Sequence, residues 1–234
     1  QGSGKSTMCR FLEMLLAREH IRAVTLSLDD LYLTRSERRK LAEDVHPLFI
    51  TRGVPGTHDA GLGLGIIEHL RAGRPLDLPR FDKRNDDRAP TVDHVTFPVD
   101  VLLVEGWCVG AKPQDDAALA QPINDLERQE DPQATWRKLV NRRLGEDYAR
   151  LFDEIDLLVM LKVAGFDAVR RNRAVQEEKL RLSSPGSAAV MDDTALARFC
   201  AHYERLTRHM LAEMPSRADV LIEIGPDQNP IGTS

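Results

Sequence analysis

The chain has 234 residues, 42% of them apolar, and this length allows one substantial hydrophobic core, so we expect a single domain over residues 1–234. The formal net charge of −5 excludes the broad positive surface that nucleic-acid binding requires, and we expect no nucleic-acid partner. No run approaches the roughly 20 consecutive apolar residues that cross a bilayer, so we expect no membrane partner either.

Cysteine usage predicts a reducing environment. The three cysteines, Cys9, Cys108 and Cys200, are odd in number, far apart and without the spacing of a metal site. This pattern is typical of reduced thiols in the core of a cytoplasmic protein.

The periodicity of apolar residues predicts an alternation of helices and strands. Helical patterns cover residues 7–19, 60–72, 136–155, 166–182 and 192–214. Short runs of β-branched and aliphatic residues predict buried parallel strands at 23–28, 99–104, 156–163 and 219–224. The alternation indicates an α/β fold, in which a mainly parallel sheet lies between two layers of helices in a three-layer α/β/α sandwich.

Three segments interrupt this alternation. Residues 46–59 and 74–98 are rich in Pro, Gly, Asp, Arg and His and show neither helical nor strand periodicity. Long irregular segments in a compact domain are more often functional than idle, so we expect 46–98 to contain the binding region for a substrate. Residues 114–132 are also polar and without a strong period, and they predict a surface insertion.

The first residues form the second half of the phosphate-binding motif G-x-x-x-x-G-K-[ST]. The segment Gly2-Ser3-Gly4-Lys5-Ser6-Thr7 leads directly into an apolar helix pattern, as the P-loop motif requires. The glycines allow backbone N–H groups to close around phosphate oxygens, and the helix N-terminus adds a positive dipole. We expect Lys5 to contact the β and γ phosphates of ATP and Ser6 to bind Mg²⁺. Because the motif begins in its middle, we also expect native residues upstream of Gln1.

Two carboxylates follow the first predicted strand. Asp29 and Asp30 lie at the carboxyl end of residues 23–28, on the sheet edge where α/β folds bind ligands. One of them can accept the proton of a substrate hydroxyl, and we predict that Asp29 does so. Asp30 would raise the pKa of its neighbour or contact Mg²⁺. The alternative is a solvated pair that caps the following helix.

A further acid ends the most apolar strand pattern. Glu105 follows residues 99–104, where P-loop enzymes place the acid that organises Mg²⁺ directly or through water. The alternative is a solvated residue at a strand end. No [NT]-K-x-D sequence for guanine recognition follows the later strands, which disfavours a GTPase.

The longer motifs resemble the glycerate kinase branch of the phosphoribulokinase and uridine kinase superfamily, a group of P-loop NTPase folds with a helical lid. The matching strings are SLDDLY at 27–32, HPL at 46–48, RGVPGTHD at 52–59, PRFDK at 79–83, DR at 87–88, EGW at 105–107, KP at 112–113 and NPI at 229–231. The resemblance implies a phosphotransferase that uses ATP and Mg²⁺ to phosphorylate D-glycerate to 3-phosphoglycerate.

The resemblance also implies roles for particular residues. Asp29 matches the base towards the acceptor hydroxyl. Glu105 matches the acid that ends the third strand in this superfamily, which corresponds to the strand predicted here at 99–104. The carboxylate of D-glycerate must be paired when it is buried, and the cationic and hydrogen-bonding candidates are Arg52, His58, Lys83 and Arg88. Each of these residues has the alternative of a surface charge or a stabiliser of its loop.

Residues 166–182 match the arginine-bearing lid of this superfamily. Arg171 and Arg173 would neutralise charge on the transferring phosphoryl group, and a solvated helix face is the alternative. The chain departs from the family at Asn172, where an aromatic residue is frequent. The segment from Lys83 to Arg88 is also shorter than in plant-type members.

Two other functions are compatible with these residues. A nucleoside, pantothenate or a sugar phosphate as acceptor would use the same ATP-binding residues and would differ in residues 46–98. A regulatory module that binds a nucleotide without turnover is a second alternative, although a base, a metal acid and lid arginines are all present in the sequence.

Overall fold

The computed structural model describes residues 2–96, 98–183 and 191–233. Within these ranges the α-helices are α1 Lys5–Arg18, α2 Arg35–Asp44, α3 Ala60–Arg71, α4 Asp125–Glu130, α5 Thr135–Gly145, α6 Asp147–Phe152, α7 Phe166–Ser183 and α8 Asp193–Glu213. The strands are β1 Ala23–Ser27, β2 Leu76–Asp82, β3 Asp87–Val95, β4 Val101–Glu105, β5 Val159–Val163, β6 Val220–Ile224 and β7 Pro230–Thr233. The α/β class is therefore confirmed.

The chain divides into two compact units. The first contains Lys5–Val109 and Thr135–Glu154, and the second contains Gly110–Ala134 with the described parts of 1–4 and 155–234.

In the first unit, the parallel strands β1 and β4 end beside the predicted functional residues. β1 pairs with β4 in a register that runs from Ala23 opposite Val101 to Ser27 opposite Glu105. Helix α1 packs against both strands. Both strands therefore end at the same edge, and the residues that follow β1 and β4 lie next to each other.

The segment predicted to be irregular at 74–98 contains an antiparallel hairpin of β2 and β3, so that prediction was wrong. Apolar and polar residues do not alternate visibly in the sequence of this hairpin, because β3 is largely solvent-exposed and polar. Each strand also contains a proline, Pro79 in β2 and Pro90 in β3. A bulge between Pro79 and Phe81 accommodates one of these prolines. The other irregular segment, 46–59, has a short 3₁₀ helix, Pro47–Ile50, followed by a loop.

The helices differ from the prediction in three places. Helix α4 lies in the polar segment 114–132, for which no helix was predicted, and it packs on α8. Helix α2 was not predicted because it is charged on nearly every face, although its N-terminal capping box, Thr34 with Glu37, is visible in the sequence. The single helix predicted at 136–155 is two helices, α5 and α6, which are separated by the non-helical backbone of Glu146.

In the second unit, β6 pairs in parallel with β5 and antiparallel with β7. Helices α7 and α8 pack against each other, and α7 packs on β5. One core cluster of this unit contains Val163, Phe166, Val169, Cys200 and Ile224.

The described helices include none that is both long and apolar enough to cross a membrane. The three cysteines are free and buried, as the sequence predicted.

Candidate active site

The P-loop segment adopts the backbone that its glycines permit. Gly2 and Gly4 have φ angles of 68° and 89°, which side-chain-bearing residues rarely adopt. A Cβ atom at Gly2 would lie 2.9 Å from the Cβ of Asn172, so a larger residue is also excluded by packing. Helix α1 begins directly after Gly4, at Lys5. Its first N–H groups are therefore available to phosphate oxygens.

The predicted metal-binding pair is brought together in the first unit. The hydroxyl of Ser6 donates to Oε1 of Glu105 at 2.9 Å, and the hydroxyl of Ser27 donates to the same oxygen at 2.9 Å. A hydroxyl and a carboxylate in contact are oxygen ligands of the kind that Mg²⁺ prefers. The side chains of Ser6 and Glu105 therefore fit a magnesium ion.

Asp29 lies at the start of the turn that follows β1. Its backbone N–H donates to the hydroxyl of Ser27 at 3.3 Å, which links it to the pair of Ser6 and Glu105. Its carboxylate accepts a hydrogen bond from the hydroxyl of Tyr32 at 2.9 Å and an ion-paired one from Lys83 Nζ at 2.5 Å. The side chain remains 29% exposed, so solvent and small molecules reach it.

These contacts lower the pKa of Asp29. Burial raises the pKa, but the positive charge of Lys83 and the hydrogen bonds from Lys83 and Tyr32 together outweigh burial. Asp29 is therefore an ionised carboxylate at neutral pH. Asp30 is not among the groups that shift the pKa of Asp29, so its predicted effect on that pKa has no support here.

Asp30 anchors the hairpin. Its Oδ2 accepts from Arg80 Nη1 at 2.8 Å, and its Oδ1 accepts from the backbone N–H of Phe81 at 3.0 Å. Burial raises the pKa of Asp30, and the contacts with Phe81 and Arg80 only partly oppose this effect. Both carboxylate oxygens of Asp30 thus accept hydrogen bonds from residues of β2. The contact of Asp30 with Mg²⁺ stays a prediction, and these hydrogen bonds do not support it.

Two of the four predicted acceptor-binding residues are held by contacts in the loop and the hairpin. Arg52 pairs with Asp86 at the tip of the hairpin, and its guanidinium lies 5.5 Å from the centre of the Phe81 ring. Lys83 belongs to the same tip and reaches Asp29. Lys83 therefore contacts the predicted base directly, and Arg52 contacts the hairpin tip that carries Lys83.

Arg88 lies at the start of β3. Its Nη2 donates to Asp59 at 3.2 Å, and its Nε donates to the carbonyl of Tyr32 at 3.3 Å. Its side chain is 32% exposed. Arg88 thus joins the hairpin to the turn after β1 and keeps part of its guanidinium accessible.

His58 is buried and uncharged. Its Nδ1 lies 2.6 Å from the hydroxyl of Tyr148, whose oxygen also accepts from the backbone N–H of Gly56 at 3.0 Å. Its ring stacks on Tyr32, and its Nε2 is buried without a hydrogen-bond partner among the described residues. Burial lowers the pKa of His58 to about 3, against a smaller opposing effect of Asp29. His58 therefore cannot supply positive charge to a ligand at neutral pH.

The two lid arginines lie on α7 in the second unit and differ in their contacts. Arg173 donates to Gln176 at 3.0 Å and to the buried Glu177 at 3.4 Å, and its guanidinium lies over the ring of Phe199. Arg171 is exposed beside an open cavity of about 380 Å³ between α7 and α8.

Several residues that contact the candidate site residues were not predicted from the sequence. Ser27 and Tyr32 were part of a recognised string, but their contacts with Glu105 and Asp29 follow from the register and the turn. Arg80 was not predicted as the partner of Asp30, and Arg38 of α2 was not predicted to be buried. No local pattern distinguishes either arginine from a solvated one.

Comparisons with known proteins identify the family. No family model matches the chain. An uncharacterized kinase of Schizosaccharomyces pombe is 32% identical over 222 residues, which cover 87% of this chain and 75% of that protein. The chloroplastic D-glycerate 3-kinase of Arabidopsis thaliana is 30% identical over 250 residues, which cover 99% of this chain and 52% of the enzyme. The chain belongs to the D-glycerate 3-kinase family.

A solved structure supports the assignment to the D-glycerate 3-kinase family. The D-glycerate 3-kinase of Cryptococcus neoformans var. grubii superposes with a TM-score of 0.77 at 26% identity, covering 95% of this chain and 82% of that one. This chain spans about half the length of the Arabidopsis relative.

Proposed function

We propose that this protein transfers the γ-phosphoryl group of ATP to a hydroxyl of D-glycerate, giving 3-phosphoglycerate and ADP. The observation that carries the proposal is the placement of Asp29. Its backbone is hydrogen-bonded through Ser27 to the P-loop pair of Ser6 and Glu105, and its carboxylate contacts the cation Lys83 of the hairpin. A base, a metal-binding pair and a cation for the acceptor therefore belong to one connected set of contacts.

The P-loop residues 2–7 would bind the phosphates of ATP. The backbone N–H groups at the start of α1 and the ammonium group of Lys5 would hold the β and γ phosphates. Ser6 and Glu105 would hold the ion, and a bound Mg²⁺ supplies neutralisation of the phosphate charge. The hydroxyl of Ser27 would keep Glu105 in place by the hydrogen bond it already makes.

Asp29 would act on the acceptor hydroxyl. Because its pKa is lowered, it is ionised at neutral pH and can accept a hydrogen bond from that hydroxyl. Phosphoryl transfer has a loose transition state, so the nucleophile needs little proton removal before it reacts. A carboxylate of low pKa is therefore sufficient, since its main contribution is to orient the hydroxyl and to accept the proton late.

The carboxylate of D-glycerate would bind to cations of residues 46–98. Arg52, Lys83 and Arg88 are each partly exposed and lie on the loop and the hairpin. A pocket with several cations suits a small anion, because a desolvated carboxylate needs ionic hydrogen bonds. The buried, neutral His58 would position this loop through its contact with Tyr148 without adding charge.

The lid would supply positive charge to the transferring group. Arg171 is better suited than Arg173 because Arg171 is exposed, whereas Arg173 is paired with Glu177 and stacked on Phe199.

We also propose a cytoplasmic location, supported by the three buried free thiols; the Arabidopsis relative is named chloroplastic.

The test is an acceptor screen with the purified protein. ADP formation is measured with Mg-ATP and D-glycerate, L-glycerate, uridine, pantothenate or ribulose 5-phosphate in turn. The Asp29→Asn variant, purified identically, controls for contaminating kinases. Selective turnover of D-glycerate that disappears in the variant supports the proposal. Turnover of another acceptor refutes the substrate, and ATP binding without any turnover refutes the enzymatic function.

A further inference from the structure

Arg38 of α2 is a buried cation in a helix whose other residues face mostly outward. Its side chain is 1% exposed, although three of its neighbours in the sequence, Glu37, Arg39 and Lys40, are exposed. A buried charge is costly unless hydrogen bonds and an opposite charge compensate it. The contacts of Arg38 therefore have to be numerous.

The guanidinium of Arg38 binds three separate segments of the first unit. Nε donates to the carbonyl of Leu33 at 3.2 Å, and Nη1 donates to the carbonyl of Ile50 at 2.9 Å. Nη2 donates to the carbonyl of Asp86 at 2.7 Å and lies 2.9 Å from the carboxylate oxygen Oδ2 of the same residue. One side chain thus joins the turn after β1, the start of the loop at 51–59 and the tip of the hairpin.

Each of these segments carries a residue of the candidate site. Leu33 follows the turn that contains Asp29. Ile50 is two residues before Arg52, and the other carboxylate oxygen of Asp86 binds Arg52. The hairpin tip also carries Lys83, which contacts Asp29.

We propose that Arg38 is a positioning residue that sets the spacing between the carboxylate of Asp29 and the acceptor-binding cations Arg52 and Lys83. This inference rests on the proposed function for its kinetic consequence. Arginine is required because its planar fork reaches three carbonyl oxygens in different directions, whereas the ammonium group of lysine is a single point. Arg38 acts only through the segments it joins.

The first experiment is Arg38→Lys. The positive charge is kept, but the three-way contact is lost, and the tip and the loop shift relative to Asp29. A shift of about 1 Å at a reacting group lowers kcat/KM by up to about 100-fold, so we expect a fall of about 10- to 100-fold for D-glycerate. Both a higher KM for D-glycerate and a lower kcat are expected. The KM for ATP should stay unchanged, because the bonds of Arg38 go to residues 33, 50 and 86 and to none of the described P-loop residues.

The second unit offers a matched control. Arg205 is also largely buried, binds the carbonyls of Ala118 and Gln121, and forms a two-fold ion pair with the buried Glu127. Arg205→Lys removes a similar set of bonds within the second unit, which does not contain residues 46–98. We expect it to lower the unfolding temperature while the KM for D-glycerate is unchanged. Equal kinetic effects in the two variants would reduce Arg38 to a general stabiliser and overturn the proposal.

Hydrogen exchange tests the contact without any acceptor. In Arg38→Lys, amides of both segments 46–58 and 80–90 should exchange faster, and those of the P-loop helix α1 should not. Unchanged exchange in either segment contradicts the proposal even if turnover falls. If the protein does not phosphorylate D-glycerate, the proposed function fails separately, and the exchange data still decide whether Arg38 holds the three segments.

Asp86→Asn serves if Arg38→Lys does not fold. Asp86 has a φ of 56°, a conformation that asparagine tolerates, and its carbonyl bond to Arg38 is kept. We expect a smaller rise in the KM for D-glycerate than in Arg38→Lys, with faster exchange at the tip. Wild-type kinetics and exchange in this variant would also overturn the proposal.

Discussion

His58 makes the stability of the first unit depend on pH. Burial lowers its pKa from 6.5 to about 3 in the folded protein. Between these values the unfolded chain binds a proton that the folded chain does not bind, so the free energy of unfolding falls as the pH falls. Each pH unit below 6.5 costs about 1.4 kcal/mol, which gives about 2 kcal/mol of lost stability at about pH 5 relative to about pH 8.

The substitution that isolates this effect is His58→Asn. Asparagine does not titrate, and its side-chain amide lies near the position of the imidazole Nδ1, so it keeps a polar contact with the hydroxyl of Tyr148. The variant loses packing at every pH, but its stability should lack the histidine contribution. The difference between its free energies of unfolding at about pH 8 and about pH 5 should be about 2 kcal/mol smaller than in the wild type.

Urea unfolding followed by tryptophan fluorescence measures this difference. Both tryptophans, Trp107 and Trp136, belong to the same unit as His58, so the signal reports on the relevant part of the chain. His94→Asn is the control, because it makes the same substitution at a side chain that is 72% exposed. An equal loss of stability at acid pH in wild type and His58→Asn would refute the assignment of a buried neutral histidine.

Three further predictions concern the candidate active site. Asp29→Asn should lower kcat by at least about 100-fold with ATP affinity unchanged, as measured by single-turnover kinetics and nucleotide titration; retained turnover would remove Asp29 from the base role. Lys5→Ala should weaken ATP binding in a calorimetric titration, and wild-type affinity would contradict the P-loop assignment. Glu105→Gln should raise the Mg²⁺ concentration needed for half-maximal activity by about 10-fold, and an unchanged requirement would exclude Glu105 from metal binding.

The parallel strands could be predicted because their signal is local. Each of β1, β4, β5 and β6 is a short run of β-branched and aliphatic residues, and the acids Asp29 and Glu105 mark the ends of two of them. Such continuous runs are typical of parallel strands that are covered on both faces. Among the described residues, β1 alternates between buried and half-buried positions and β4 is half-buried throughout. The same periodicity predicted α1, α3, α7 and α8 to within a few residues.

The hairpin of β2 and β3 could not be predicted by the same signal. β3 is largely exposed, so apolar residues do not alternate along it, and prolines in both strands argue against a sheet. Helix α2 is polar nearly all round, and only its capping box marks its start.

Recognition of family strings located the candidate residues, but it did not give their states. That Asp29 is ionised depends on Lys83, 54 residues away, and that His58 is neutral depends on burial beside Tyr148, 90 residues away. The buried position of Arg38 depends on its contacts with three segments that lie at different distances from it along the sequence. Such contacts follow from the tertiary fold and have no local signal.

The most direct test of the proposed function is identification of the product by ³¹P NMR. The full-length protein is incubated with Mg-ATP and D-glycerate, and the spectrum is followed as ATP is consumed. We expect 3-phosphoglycerate and ADP to appear in equal amounts. Formation of 2-phosphoglycerate would contradict the proposed position of transfer, and ATP that stays intact in the presence of D-glycerate would contradict the function itself.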